Sequence, residues 1–125
     1  MELTAWIADR LRDRKDVVSQ KIERGDFVCT VYYLTDGIDL EMLQSHVLRP
    51  LLRPYYGTAE ERLSDIFNHK SFFTAVYTLA PAPESALAGL LEGQALLCLP
   101  GQTTGLLFPF QNRAKRSVGA TENEK

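Results

Sequence analysis

Leu3, Trp6, Ile7 and Leu11 recur three and four residues apart with charged residues between them, which predicts a short amphipathic helix over 2–13. The run VVSQKIE (17–23) alternates loosely, Arg24-Gly25-Asp26 supplies a turn, and FVCTVYYL (27–34) is β-branched and aromatic throughout. Together they predict an antiparallel hairpin whose second strand is covered on both faces. Asp36-Gly37 closes that strand. Leu40, Leu43, Val47 and Leu51 then fall on one face of a helix, with Asp36 or Asp39 placed to accept its first free N–H groups. Pro50 cannot donate to the carbonyl of residue 46 and crowds that turn. The helix is therefore expected to kink or stop near Arg49, with His46 or Arg49 approaching the freed carbonyls.

Thr58, with Glu61 three residues on, makes a capping-box pattern for a helix reaching about Phe67. SFFTAVYTL (71–79) has the composition of a strand. Pro83 opens a helix containing Leu87, Leu90 and Leu91, and Gly93 follows its C-cap. ALLCL (95–99) and GLLFPF (105–110) are two further strands joined by the PGQTT turn, and Pro109 places the last on an edge or ends it early. Behind the first helix the order β-β-α-α-β-α-β-β predicts an α/β (α+β) fold, a mixed sheet of about five strands with three or four helices packed on it. A single domain is expected over residues 1–112, with 113–125 a polar exit segment or tail.

Composition narrows the function. The 125 residues are 45% hydrophobic and 24% charged, as in a soluble globular protein, and long enough to bury a core without staples. A net charge of −2 leaves no electrostatic footprint for nucleic acid. Between Glu92 and Arg113 no residue is charged, but Pro100 to Gly105 break that stretch as a turn, so it predicts a hairpin and not a membrane helix. Cys29 and Cys98 each lie in an apolar strand and are expected to be buried, reduced thiols. With two histidines, no HExxH, no CxxC and no GxSxG, neither a metal centre nor a nucleophilic site is predicted, and no cofactor.

Two polar clusters remain. Asp36, Gly37, Asp39, His46 and Arg49 surround one helix. They are either a cap with a solvated polar face or a ligand site, in which the helix N-terminus takes an anion or carboxylate. Arg113, Lys115 and Arg116, close to Phe108 and Phe110, mark either a solvated exit or an interaction surface for a partner. The uncharged stretch holding Phe72, Phe73, Phe108 and Phe110 is expected to expose an apolar patch beside an edge strand.

The stretch YYLTDGIDLEMLQSHVLRPLL (32–52) resembles the hallmark of the N-terminal domain of spore germinant receptor A subunits, the GerA family. There a strand ends in a Tyr-Ile-Asp-Gly-like turn and leads into a helix ending in His-Ile-Leu-Lys/Arg-Pro-Leu. The matching residues here are Tyr33, Asp36, Gly37, His46, Val47, Leu48, Arg49, Pro50 and Leu51. IADRLRDRKDVVSQKI resembles the family's opening, ALAGLLEGQALLCLPGQTTGLLFPF its helix-Gly-strand-turn-strand unit, and Lys115-Arg116-Ser117-Val118 its Lys-Arg-Ser-Val element. Arg113-Ala114 stands where the family usually has a Trp. The likeness is to the first subdomain of that N-terminal domain.

The resemblance implies a non-catalytic sensor or regulatory domain of a germinant receptor on the cytoplasmic face of the spore inner membrane. It would couple nutrient recognition to germination by associating with a membrane subunit. Its partners would be other receptor subunits or domains, a nutrient small molecule, and a second copy of itself. The alternative is a stand-alone interaction module with no small ligand. An enzyme is not expected.

Overall fold

A computed structural model of the chain describes residues 2–68, 73 and 75–111. Strands β1 (Val17–Arg24) and β2 (Phe27–Leu34) form the expected hairpin, in register from Val17 opposite Leu34 to Arg24 opposite Phe27. The two-residue loop Gly25-Asp26 starts with φ +62° at Gly25, the left-handed geometry that matches the strand twist. Helix α1 (Leu3–Arg10) precedes the hairpin. Its start is tied to the turn after β4, where Glu2 accepts from the Gly101 N–H at 2.6 Å and the Leu3 N–H donates to the Gln102 carbonyl at 3.1 Å.

After β2 comes helix α2 (40–52), built of an α-turn Leu40–Leu43, a wider π-turn Gln44–Leu48 and an α-turn Arg49–Leu52. Of the kink or stop expected near Arg49, the stop does not occur; the regular α-helical bonding is instead interrupted by the π-turn just before Arg49. In the π-turn the Arg49 N–H donates to the Gln44 carbonyl, five residues back, and Pro50 then falls in the first turn of the last segment, where no N–H is required. Leu43, Val47 and Leu51 are buried as expected, but Leu40 is 46% exposed because it lies at the mouth of the helix, before the packed face begins. Helix α3 (Ala59–Asn68) has its capping box complete: the Glu61 N–H donates to Thr58 Oγ1 at 3.0 Å, and Glu61 Oε1 accepts from the Thr58 N–H at 2.8 Å.

Strand β3 (Thr78–Ala80) is much shorter than the expected strand over 71–79; of the rest, Phe73 and Ala75–Tyr77 are not strand, and 69–72 and 74 lie outside the described residues. Its partner β5 (Gly105–Phe108) sets the limit. Thr78 pairs with Leu107, so the ladder would next need Phe108 and then Pro109, which has no N–H to give. Helix α4 (Pro83–Leu91) follows, with Gly93 at φ +105° just past its C-cap. Then come β4 (Ala95–Cys98) and β5, the second hairpin.

The five strands lie in the order β1-β2-β4-β5-β3, and every ladder is antiparallel, not mixed as expected. Strands β3 and β4, joined through α4, do run the same way. Strand β5 inserts between them, however, so neither has a parallel neighbour. Pro109 ends β5 early but does not make it an edge; β3 takes that place.

Both faces of the sheet are covered, which explains why β4 and β5 are apolar at every position. On one face Phe27, Cys29, Val31, Leu97, Leu106 and Phe108 pack against Leu43, Val47 and Leu51 of α2 and Ile66 of α3. On the other, Tyr32, Leu96, Cys98 and Leu107 pack against Leu3 and Ile7 of α1 and Ala86 and Leu90 of α4. Helix α4 comes so close that a Cβ on Gly89 would fall 2.4 Å from a Leu107 methyl. Cys29 and Cys98 are both buried and lie on opposite faces, so the sheet itself keeps the thiols apart.

Candidate functional site

The last carbonyls of a helix need partners from outside it, and here two arginines supply them. Arg62 of α3 donates from Nη2 to the Leu51 carbonyl at 2.5 Å, and Arg24 at the end of β1 donates from Nη2 to the Leu52 carbonyl at 3.1 Å. The partners of these two carbonyls come from distant parts of the chain. Arg62 is 3% exposed, with its guanidinium carbon 4.7 Å from the centre of the Phe27 ring and 5.4 Å from that of Tyr55. Burial, with a further contribution from Arg24, pulls its pKa below the usual guanidinium value. The Tyr55 O–H donates to Asp65 Oδ2 at 2.5 Å, which pushes the phenol up to about 12.

Arg24, Phe27, Leu52, Tyr55 and Arg62 line one side of a cleft of about 630 Å³ between the β1–β2 turn, the end of α2 and the first turn of α3. Arg24, Arg53, Arg62, Asp26 and Thr58 are among the residues that line it. Arg53 makes no hydrogen bond or ion pair with a side chain among the described residues. Three arginines and one aspartate thus line this recess on a chain of net charge −2, with the Glu61 carboxylate held at its edge on the Thr58 N–H.

None of the residues expected to bind a ligand lines this cleft. Asp39 caps α2, its Oδ1 accepting from the Met42 N–H at 3.2 Å, and its own N–H donates to the Phe110 carbonyl at 2.8 Å. Gly37 takes φ +89° in the turn before it, Asp36 is exposed, and Ile38 bridges to Gln111. His46 is half-buried with its ring 6.3 Å from that of Phe110, and Arg49 is exposed. This set frames both ends of one helix, and the contacts that Asp39 and His46 make tie α2 to the segment after β5.

Phe108 and Phe110 are buried together with Phe73, the rings of Phe73 and Phe108 meeting edge to face at 5.4 Å and those of Phe108 and Phe110 stacking at 5.6 Å. The expected apolar patch is therefore closed at these three positions, because the aromatics point into the face under α2 and α3. Phe72, Arg113, Lys115 and Arg116 lie outside the described residues. The exposed apolar side chains found instead include Tyr56, Val76 and Leu79.

Among the described residues no three His, Cys, Asp or Glu side chains are grouped to hold a metal ion. Burial pushes both thiols up to about 12, which keeps them protonated and poorly nucleophilic.

Comparison with known proteins adds three findings. The family described as Bacillus/Clostridium GerA spore germination protein matches residues 5–125. A curated relative, the uncharacterized membrane protein YfkQ of Bacillus subtilis (strain 168), is 25% identical over 104 residues, covering 82% of this chain and 20% of that protein. The crystal structure of the N-terminal domain of the A subunit of the Bacillus megaterium spore germinant receptor GerK3 matches with a TM-score of 0.61 at 18% identity, covering 86% of this chain and 44% of that one. That last likeness is one of fold. The chain spans less than half the length of either protein.

Proposed function

The chain belongs to the GerA family of Bacillus/Clostridium spore germination proteins, and from that premise we propose that it acts as a non-catalytic sensor or regulatory domain of a spore germinant receptor. It works on the cytoplasmic face of the spore inner membrane, coupling nutrient recognition to germination through association with a membrane subunit. The observation that carries this reading is the family match over residues 5–125. The fold of the GerK3 A-subunit N-terminal domain and the membrane-protein name of YfkQ support it. Among the described residues no helix is long and apolar enough to cross a membrane.

Such a domain acts by favouring one of two arrangements of its neighbours. Moving a switch from 1:99 to 99:1 takes about 5.5 kcal/mol of differential binding, more than the few hydrogen bonds of one small cleft supply, so contacts with a neighbouring domain or subunit share the work. Spores lacking this chain should germinate slowly, or not at all, in response to at least one class of nutrient. An unchanged response to every nutrient that the parent spores sense would contradict the proposal.

A further inference from the structure

We propose that β1 is the contact strand of a homodimer, in which two copies of the chain pair antiparallel along this edge about a two-fold axis through Gln20. Strand β1 is an outer strand of the sheet, paired with β2 without a bulge from Val17 to Arg24. Residues that flank a two-residue turn exchange both backbone hydrogen bonds, and such pairs alternate along an antiparallel ladder. Arg24, Ile22, Gln20 and Val18 therefore bond to β2, a phase that the Thr35 N–H continues by donating to the Asp16 carbonyl at 2.8 Å. Val17, Ser19, Lys21 and Glu23 turn their N–H and C=O groups to the open side, where no described residue bonds to them. Edge strands are commonly blunted by shortness, a proline, a bulge or a lysine. At the opposite edge β3 has three residues with Pro81 directly after it. Of these devices β1 carries only Lys21, whose charge its own Glu23 offsets at 3.8 Å.

The sequence of β1 selects a second copy as the occupant, and one register. Two antiparallel copies keep the bonding phase only when the four outward residues face one another. With the axis through Gln20, Val17 meets Glu23 and Ser19 meets Lys21 of the second copy, which gives about eight hydrogen bonds. Asp16 then lies opposite Arg24 of the second copy at both ends of the contact, and no like charges stand directly opposite along the strand. Both side chains are exposed and keep capacity for this: Arg24 places one Nη2 on the Leu52 carbonyl, and Asp16 pairs with Arg14 in the open. Moving the axis to Lys21 sets the two Lys21 ammonium groups against each other. Moving it to Ile22 matches Lys21 with Glu23, but leaves Val17 and Ser19 beyond the end of the second strand and keeps about half the bonds. Because both copies use β1, the assembly closes at two. The proposal rests on β1 alone and stands whether or not the chain acts in a receptor.

The test is sedimentation equilibrium of the chain, which should be mainly dimeric at about 100 μM. Ser19→Pro removes an outward N–H and leaves the β2 ladder intact, and Asp16→Lys sets a like charge opposite Arg24 of the second copy. Each should weaken dimerisation by about tenfold or more while keeping the far-UV circular dichroism of the parent. A non-hydrogen-bonded antiparallel pair stands about 4.5 Å apart at Cα, within disulfide reach. Gln20→Cys should therefore cross-link to its own copy under mild oxidation, and Lys21→Cys much more slowly. The native thiols are buried and do not compete. A monomer at about 100 μM, a dimer that neither substitution weakens, or cross-linking through position 21 in preference to position 20 would overturn the proposal.

Discussion

Replacing Arg62 by methionine tests what holds the end of α2. The side chain is 3% exposed and spans from the face of Phe27 to the Leu51 carbonyl, where Nη2 donates at 2.5 Å. A hydrogen bond from a charged group nets about 1.5–3 kcal/mol, and leaving the buried carbonyl of Leu51 without its donor is the main part of that cost. The loss of the cation over Phe27 and Tyr55 adds about 1 kcal/mol. Against this, methionine fills similar space, its sulfur suits the aromatic walls, and no charge need be desolvated, which returns about 1–2 kcal/mol. The balance is a net loss of about 2 kcal/mol, or roughly 6–8 °C in Tm for a chain of this size. Urea unfolding followed by far-UV circular dichroism should show a lower midpoint with an unchanged slope. Arg62→Lys, which keeps the charge but loses the planar fork, should fall between the two. A methionine variant as stable as the parent, or more so, would refute the reasoning: the arginine would then be no part of what fixes the helix end.

Val47→Asp puts an unpaired charge under α2 at a fully buried position and should cost several kcal/mol, enough that the purified variant shows no cooperative thermal transition. Thr58→Ala removes one half of an observed capping box and should cost about 1 kcal/mol by urea unfolding, with Glu61→Ala adding less than its own effect in the double variant. Cys29 and Cys98 should label with a thiol reagent only at the rate at which the native chain opens, so that denaturant accelerates labelling steeply. Both thiols and the Tyr55 phenol keep their protons in the folded chain up to about 12, above their ordinary values. The unfolded chain releases those protons first, so stability is intact below the ordinary thiol range and falls as pH rises through it; the urea midpoint should drop between about pH 8 and about pH 10.5, and a rise would contradict this.

Local patterns made most of the fold legible. The β1–β2 hairpin, the capping box at Thr58, the glycine after α4 and the paired apolar strands β4 and β5 are each written within a few residues of sequence, and each was found. What failed depended on partners elsewhere in the chain. The strand composition was overridden at Phe73 and at 75–77, because β5 is cut short at Pro109 and because the rings of Phe73 and Tyr77 close over Phe108. In place of a stop near Arg49, a π-turn shifts the hydrogen bonding before Pro50 is reached and the helix runs on to Leu52.

The arginine-lined cleft was the least legible part. Arg62 follows Glu60 and Glu61 and looks like one more charge on a solvated helix. Its spacing from Ala59 and Ile66 nevertheless puts it on the packed face, a signal that the charge obscures. Its partner carbonyl is 11 residues away and that of Arg24 is 28 away, so no window of helical or strand periodicity holds both ends of either contact. The cluster from Asp36 to Arg49 was legible as sequence; what could not be seen there was that Asp39 would be engaged in capping and in binding the Phe110 carbonyl.

The most direct test of the receptor assignment is capture of the tagged chain from detergent-solubilised spore membranes, followed by identification of what comes with it. The account predicts membrane-embedded germinant-receptor subunits in the captured material, lost when Val47→Asp unfolds the chain. Recovery of the chain from the soluble fraction alone, with no receptor subunit attached, would contradict it.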